Sequence, residues 1–168
     1  MQANRLACSE FLHRLASMTP AVATVDPVAE ATFSSAGELR EVLTALLERI
    51  EADPDLAWRL SSAGIAFRYV FTDFDLTLDV ASREPEEGIS WSFDSESSRE
   101  PAVTLEMTSE VANRYLQGRE NLAIGMARKR IRCRCDARAA LKLLSTTRFT
   151  SASYREVLER HYPHLLLG

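Results

Sequence analysis

The sequence predicts an α+β protein, and three features of its 168 residues carry that expectation. Helical periodicity fills the stretch from Ser35 to Gly64. Four short runs rich in β-branched and aromatic residues occupy 65–107. Helical patterns return at Thr108, interrupted by one strictly alternating strand at 130–135. The expected order is two helices, four strands, two helices, one strand and two helices, behind a separate N-terminal segment.

That segment, 1–35, divides in two. Leu6, Phe11, Leu12 and Leu15 fall on one side of a short amphipathic helix over 2–17. From Pro20 to Ser35 the chain is rich in Ala, Thr, Pro and Ser, which predicts an extended arm. A single domain is expected over 36–168. Ser35-Ala-Gly-Glu38 reads as a capping box, in which the Ser hydroxyl and the Glu carboxylate satisfy each other's backbone N–H. Leu39, Val42, Leu43, Leu46, Leu47 and Ile50 then recur at helical spacing. Asp53-Pro54 opens the next helix, whose apolar positions are Leu56, Ala57 and Leu60, and Gly64 ends it.

The four strand-like runs are Ile65–Thr72, Leu76–Val80, Ile89–Phe93 and Val103–Met107. Polar turns separate them, and the spacing predicts a four-stranded antiparallel meander. Thr108 can cap a helix carrying Val111, Tyr115 and Leu116, closed by Gly118, and Asn121 can cap one carrying Leu122, Ile124 and Met126. In 130–135, Ile131, Cys133 and Cys135 share one face and Arg130, Arg132 and Arg134 the other, as in a half-buried strand. Asp136 caps a helix with Leu141, Leu143 and Leu144. Ser153-Tyr-Arg-Glu156 reads as a second capping box opening a last helix, which Pro163 stops.

Composition narrows the function. The formal net charge of -4 argues against a nucleic-acid binder. No segment approaches the roughly 20 apolar residues that span a bilayer. Asn4, Arg5, Glu10, His13 and Arg14 interrupt any N-terminal apolar run, so a soluble, cytoplasmic protein is expected. Three cysteines, Cys8, Cys133 and Cys135, do not make a disulfide framework, and Cys133 and Cys135 read as small core residues. They lack a second pair with zinc spacing, and Pro163 separates His161 from His164, so no metal or cofactor is expected. Neither a P-loop nor a dinucleotide fingerprint is present.

The loudest local motif is Asp73-Phe-Asp75-Leu-Thr77, which fits the signature of haloacid dehalogenase-type phosphatases. There the first Asp is a nucleophile, the second a general acid, and magnesium neutralises the phosphate. That chemistry requires a parallel sheet with crossover units, and short strands follow here instead. The better reading is an Asp-containing turn between antiparallel strands, with Asp bonding its own backbone.

The stretch Pro101–Leu144 resembles the core of the sterol carrier protein 2 (SCP2) family. Thr108, Gly118, Arg119, Asn121, Ala123, Ala127, Ile131 and Leu141-Lys142-Leu143-Leu144 hold that family's positions, and the resemblance extends over roughly 38–160. Where members often have Gly after the basic strand, this chain has Cys135-Asp136-Ala137. The resemblance implies a five-stranded, mostly antiparallel sheet covered on one face by helices, with an apolar tunnel between the layers. It implies non-covalent binding, transfer or presentation of a lipid, sterol or other hydrophobic molecule, and no enzyme activity. The expected lining is Phe67, Tyr69, Trp91, Phe93, Leu105, Met107, Val111, Tyr115, Leu122, Met126, Ile131, Leu141 and Leu144.

Arg130, Arg132 and Arg134 are the expected docking face for an anionic membrane surface or an acidic partner. Two rival readings stand beside the carrier. One is an SCP2-like scaffold with a filled cavity, dimerising through the N-terminal arm. The other is the magnesium-dependent phosphatase at Asp73 and Asp75.

Overall fold

The computed structural model describes residues 31–62, 64, 66–82, 88–94, 101–135 and 137–168; side chains are not described for 137, 138 and 140–148. The expected helix over 2–17 and the arm before residue 31 lie outside the described residues.

Helix α1 spans Ala36–Glu51 and buries the six apolar residues that its periodicity marks, Leu39 to Ile50. Ser35 Oγ accepts from Glu38 N at 3.1 Å, as expected for the cap. The return half of the box is shifted by one residue: the Glu38 carboxylate accepts from Ser34 N and Ser34 Oγ at 2.6 and 2.8 Å. Helix α2 spans Pro54–Ser62. Asp53 Oδ1 accepts from Asp55 N and Leu56 N, and Gly64 leaves the helix at φ +63, a left-handed conformation that costs glycine little.

Five strands follow the expected runs: β1 (Ala66–Phe71), β2 (Leu76–Ser82), β3 (Ile89–Phe93), β4 (Val103–Met107) and β5 (Arg132–Cys135). Their spatial order is β3-β2-β1-β4-β5. The first three form an antiparallel meander. The fourth does not continue it. The chain crosses to the far side of β1, where β4 runs parallel to it, pairing Phe67 with Val103 and Phe71 with Met107. β5 then closes the sheet antiparallel to β4. The four-stranded meander is therefore corrected to a mixed sheet with one parallel pair at its centre.

Alternation gives the sheet two different faces. The ladders place Phe67, Tyr69, Phe71, Leu76, Leu78, Val80, Leu105 and Met107 on the inner one. The outer face carries Arg68, Asp79, Thr104 and Glu106. Arg68 grips Asp79 across the strands with two bonds, 2.7 and 2.9 Å.

Helix α3 (Ser109–Leu116) follows β4, capped by Thr108 Oγ1 as expected. Helix α4 (Leu122–Ala127) is capped by Asn121, whose Oδ1 accepts from Ala123 N and Ile124 N. Helix α5 runs unbroken from Ala137 to His161. Two helices were expected here, with Ser153 capping the second. Instead Ser153 sits inside α5 and is buried, as are Tyr154, Val157 and Leu158. Packing of that stripe overrides the weak helix formers Ser145 to Ser151. Pro163 opens a final turn of 3-10 helix (Pro163–Leu165), which tucks Leu165 into the core.

A buried polar cluster joins this last segment to α3. Asn113 Nδ2 donates to the carbonyls of Ala31 and Leu165 at 3.0 and 2.9 Å. Asn113 Oδ1 accepts from Gln117 Nε2 at 2.8 Å and from the Tyr154 hydroxyl at 3.0 Å. Gln117 also donates to Leu165 O and accepts from Leu167 N. Every polar atom of the Asn113 amide is thus matched inside the protein.

Candidate functional site

A cavity of about 60 Å³ lies between the inner face of the sheet and the helices. α1 contributes Leu43, Leu46, Leu47 and Ile50, and α2 contributes Leu60. The sheet supplies Phe67, Tyr69, Phe71, Leu78, Val80 and Met107. α3 adds Ala112, Tyr115 and Leu116, and α5 adds Thr150. Its walls are almost wholly apolar, and an apolar space of this kind offers water few partners.

Tyr69 is the polar feature of the sheet wall. Its ring stacks on Phe71, with centroids 6.4 Å apart and planes 12° apart. Burial pushes its phenol up to about 12, so the hydroxyl keeps its proton throughout the neutral range. Tyr69 is half-buried, and among the described residues none hydrogen-bonds its hydroxyl.

Of the expected lining, Phe67, Tyr69, Met107 and Tyr115 meet at this cavity. Of the others whose side chains are described, none borders it. Leu105, Leu122 and Ile131 are buried in the core away from it. Trp91 and Phe93 share the inner face but belong to the edge strand β3, where the Arg40 guanidinium lies 4.7 Å above the Phe93 ring. Met126 packs half-buried on the core margin. Val111 faces an open surface depression with Thr108, Lys129, Arg130 and Arg132. The side chains of Leu141 and Leu144 lie outside the described residues. The wall that sequence reasoning missed is α1. Its Leu43, Leu46, Leu47 and Ile50 had the right periodicity, and only the three-dimensional packing shows them against the cavity.

The three arginines expected to dock a partner are paired within the chain. Arg130 Nη2 reaches Glu120 Oε1 at 2.9 Å, and that carboxylate is buried. Arg132 and Arg134 share Glu106 at 3.7 and 2.8 Å. Two positive charges on one negative leave one net positive charge on this part of the outer face.

The aspartate motif forms the β1–β2 turn. Asp75 takes the left-handed conformation at φ +49. The turn between antiparallel strands is as expected, but Asp73 is turned to Ser109 rather than to its own backbone. It accepts from Ser109 N at 2.9 and 3.1 Å and from Ser109 Oγ at 2.6 Å, so its carboxylate holds the first turn of α3. Among the described residues, no three His, Cys, Asp or Glu side chains gather as metal ligands. His164 instead meets Glu38 at 2.8 Å, and His161 lies edge-on to Tyr162. Asp73→Ala removes the α3 contacts and is expected to cost about 1–2 kcal/mol, read as a fall in thermal midpoint. Asp73→Asn, which retains one acceptor, is expected to cost less.

No protein-family profile matches the chain, and no curated protein matches it. Solved structures do. A UbiJ-SCP2 ubiquinone synthesis protein aligns with TM-score 0.52 and 13% identity, over 72% of this chain and 97% of that one. The sterol carrier protein domain 2 of Helicoverpa armigera aligns with TM-score 0.51 and 16% identity, over 78% and 96%. An inverting sec-alkylsulfatase from Pseudomonas sp. aligns with TM-score 0.48 and 16% identity, and this chain spans only 14% of its length. With five strands in a mixed sheet, helices on one face and these two near-full-length matches, the chain has an SCP2-like α+β fold.

Proposed function

We propose that the protein binds a lipid, sterol or other hydrophobic small molecule non-covalently between its sheet and helices, with no covalent step. The observation that carries this reading is the apolar cavity with one unmatched phenol, at the place between sheet and helices where an SCP2-like fold would hold a ligand. The structural neighbour from Helicoverpa armigera, a sterol carrier protein domain, supports it. Each methylene moved from water into such a space contributes about 0.8 kcal/mol, so few polar contacts are needed.

A ligand of acyl-chain size exceeds 60 Å³, so binding requires the walls to part. The seam between α2 and α5 is the proposed mouth. Leu60 and Thr150 reach the cavity there. Beside them Trp58 is 61% and Phe149 42% exposed, and the Arg59 guanidinium sits 4.6 Å over the Phe149 ring. Aromatic rings beside a cation suit the boundary between water and lipid. This seam is the proposed contact with an anionic membrane surface; Arg132 and Arg134 stand on the opposite, outer face of the sheet and do not share it.

Native mass spectrometry of freshly purified protein, before and after organic extraction, tests the proposal. A stoichiometric adduct lost on extraction is the expected result. A clean apo mass with no uptake from a mixed lipid panel would overturn it. The small volume favours a second reading for that outcome, a scaffold whose core is filled by its own side chains. Tyr69→Phe is expected to weaken binding of a ligand bearing a hydroxyl or carbonyl by roughly five- to tenfold, about one hydrogen bond. Binding of a plain hydrocarbon should not change, and fluorescence titration with the two ligand types reads the difference.

A further inference from the structure

We propose that Cys133 and Cys135 are an oxidisable dithiol site, converted by peroxide into a reversible disulfide within strand β5. Their Sγ atoms lie 3.0 Å apart. Alternation puts both side chains on one face, because residues two apart on a strand point the same way. Contact is not a bond, and the geometry shows how far apart the two states are. A disulfide has its sulfurs at about 2.05 Å, so roughly 1 Å of approach remains. Two residues of extended strand separate the Cα atoms by about 6.6 Å, inside the outer limit of roughly 6.8 Å for a disulfide. A small contraction of the strand therefore closes the bond.

The place in the fold allows that contraction. β5 is four residues long and lies at the sheet edge, paired only with β4. Pulling Cys133 toward Cys135 disturbs one ladder, at Leu105 and Val103, and leaves the rest of the sheet intact. Both cysteines are half-buried rather than sealed in the core, so a small oxidant reaches them. A bond formed near the limit of its geometry is strained and easily reduced, which makes the couple reversible rather than structural.

The chemistry balances with hydrogen peroxide as oxidant. One thiolate takes an oxygen to become a sulfenic acid, and the O–O bond breaks with release of water after protonation. The second sulfur attacks the first and displaces hydroxide, which leaves as a second water. The two thiols lose two protons and two electrons, and one peroxide becomes two waters.

The test uses the full chain carrying Cys8→Ser, which removes the third thiol. The protein is treated with one equivalent of hydrogen peroxide under native conditions, and remaining thiols are alkylated. The expected result is an intact mass lower by two hydrogens, no alkylation at either residue, and full recovery of both thiols with reduced glutathione. Trypsin cuts after Arg132 and Arg134, so the bond should appear as a linked peptide pair. Full alkylation of both thiols after peroxide would overturn the proposal, as would a sulfinic acid or a bond between two chains in place of the linked pair. A Cys8→Ser, Cys135→Ser variant should stop at the sulfenic acid on Cys133, trapped by dimedone. Peroxide loss from the Cys8→Ser protein without that pair counts against it too.

Discussion

Asn113→Ala is expected to lower stability by about 3–5 kcal/mol and the thermal midpoint by roughly 10 °C or more. The reason is accounting of donors and acceptors rather than lost volume. The Asn113 amide is buried and donates to Ala31 O and Leu165 O while accepting from Gln117 and Tyr154. Truncation leaves the Tyr154 hydroxyl without its acceptor and withdraws one donor from each carbonyl in a region closed to water. Unmatched buried groups each cost about 1–3 kcal/mol, and Gln117 Nε2 still serves Leu165 O, which keeps the sum below the naive total. Tyr154→Phe removes only one donor and should cost about 1 kcal/mol, since Asn113 Oδ1 still accepts from Gln117. Urea unfolding of the two variants beside the parent checks the ratio; equal, small losses would mean that water replaces the amide.

Phe71→Ala is expected to cost a similar amount, about 3–5 kcal/mol, for a different reason. Phe71 is 1% exposed and stands on the central strand against the cavity wall. Removing its ring forfeits the transfer energy of the buried surface and adds to a space that is already empty. The same change should improve uptake of a hydrophobic ligand, because less wall movement is needed to admit it. Stability and binding thus move in opposite directions, and ligand should restore part of the lost midpoint by mass action. Thermal unfolding with and without a fatty acid or sterol reads both effects. A lost midpoint with no gain in uptake would show that the walls collapse into the vacated space.

The sequence disclosed those parts of the fold that are decided within a few residues. The α1 stripe, the caps at Ser35, Asp53, Thr108 and Asn121, and the turns at Gly64 and Gly118 are local chemistry and occur as read. The inner and outer strand faces follow from alternation. What the sequence concealed is non-local. No residue of β4 announces that it will lie parallel to β1 rather than antiparallel to β3, because pairing partners are chosen by the whole sheet. Ser153-Tyr-Arg-Glu156 looks like a helix start, yet Tyr154 and Leu158 need to lie on a continuous stripe and α5 runs through it. The candidate site was half-legible for the same reason. Inward residues were identified from alternation, but which of them border a cavity depends on how α1 and α5 cross the sheet. At Asp73 the turn itself was legible, but its carboxylate serves a helix that begins 36 positions later, a partner no local pattern names.

The parallel pair at the sheet centre also sets an order in time. β1, β2 and β3 meet through short connections and can assemble as soon as those residues are free. β4 cannot join until the chain has closed a loop of 36 positions, from Phe67 to Val103. Before that moment β1 is an unpaired edge flanked by Phe67 and Phe71. Any chain in which β4 joins late would carry the strand destined for the middle of the sheet as its most adhesive margin.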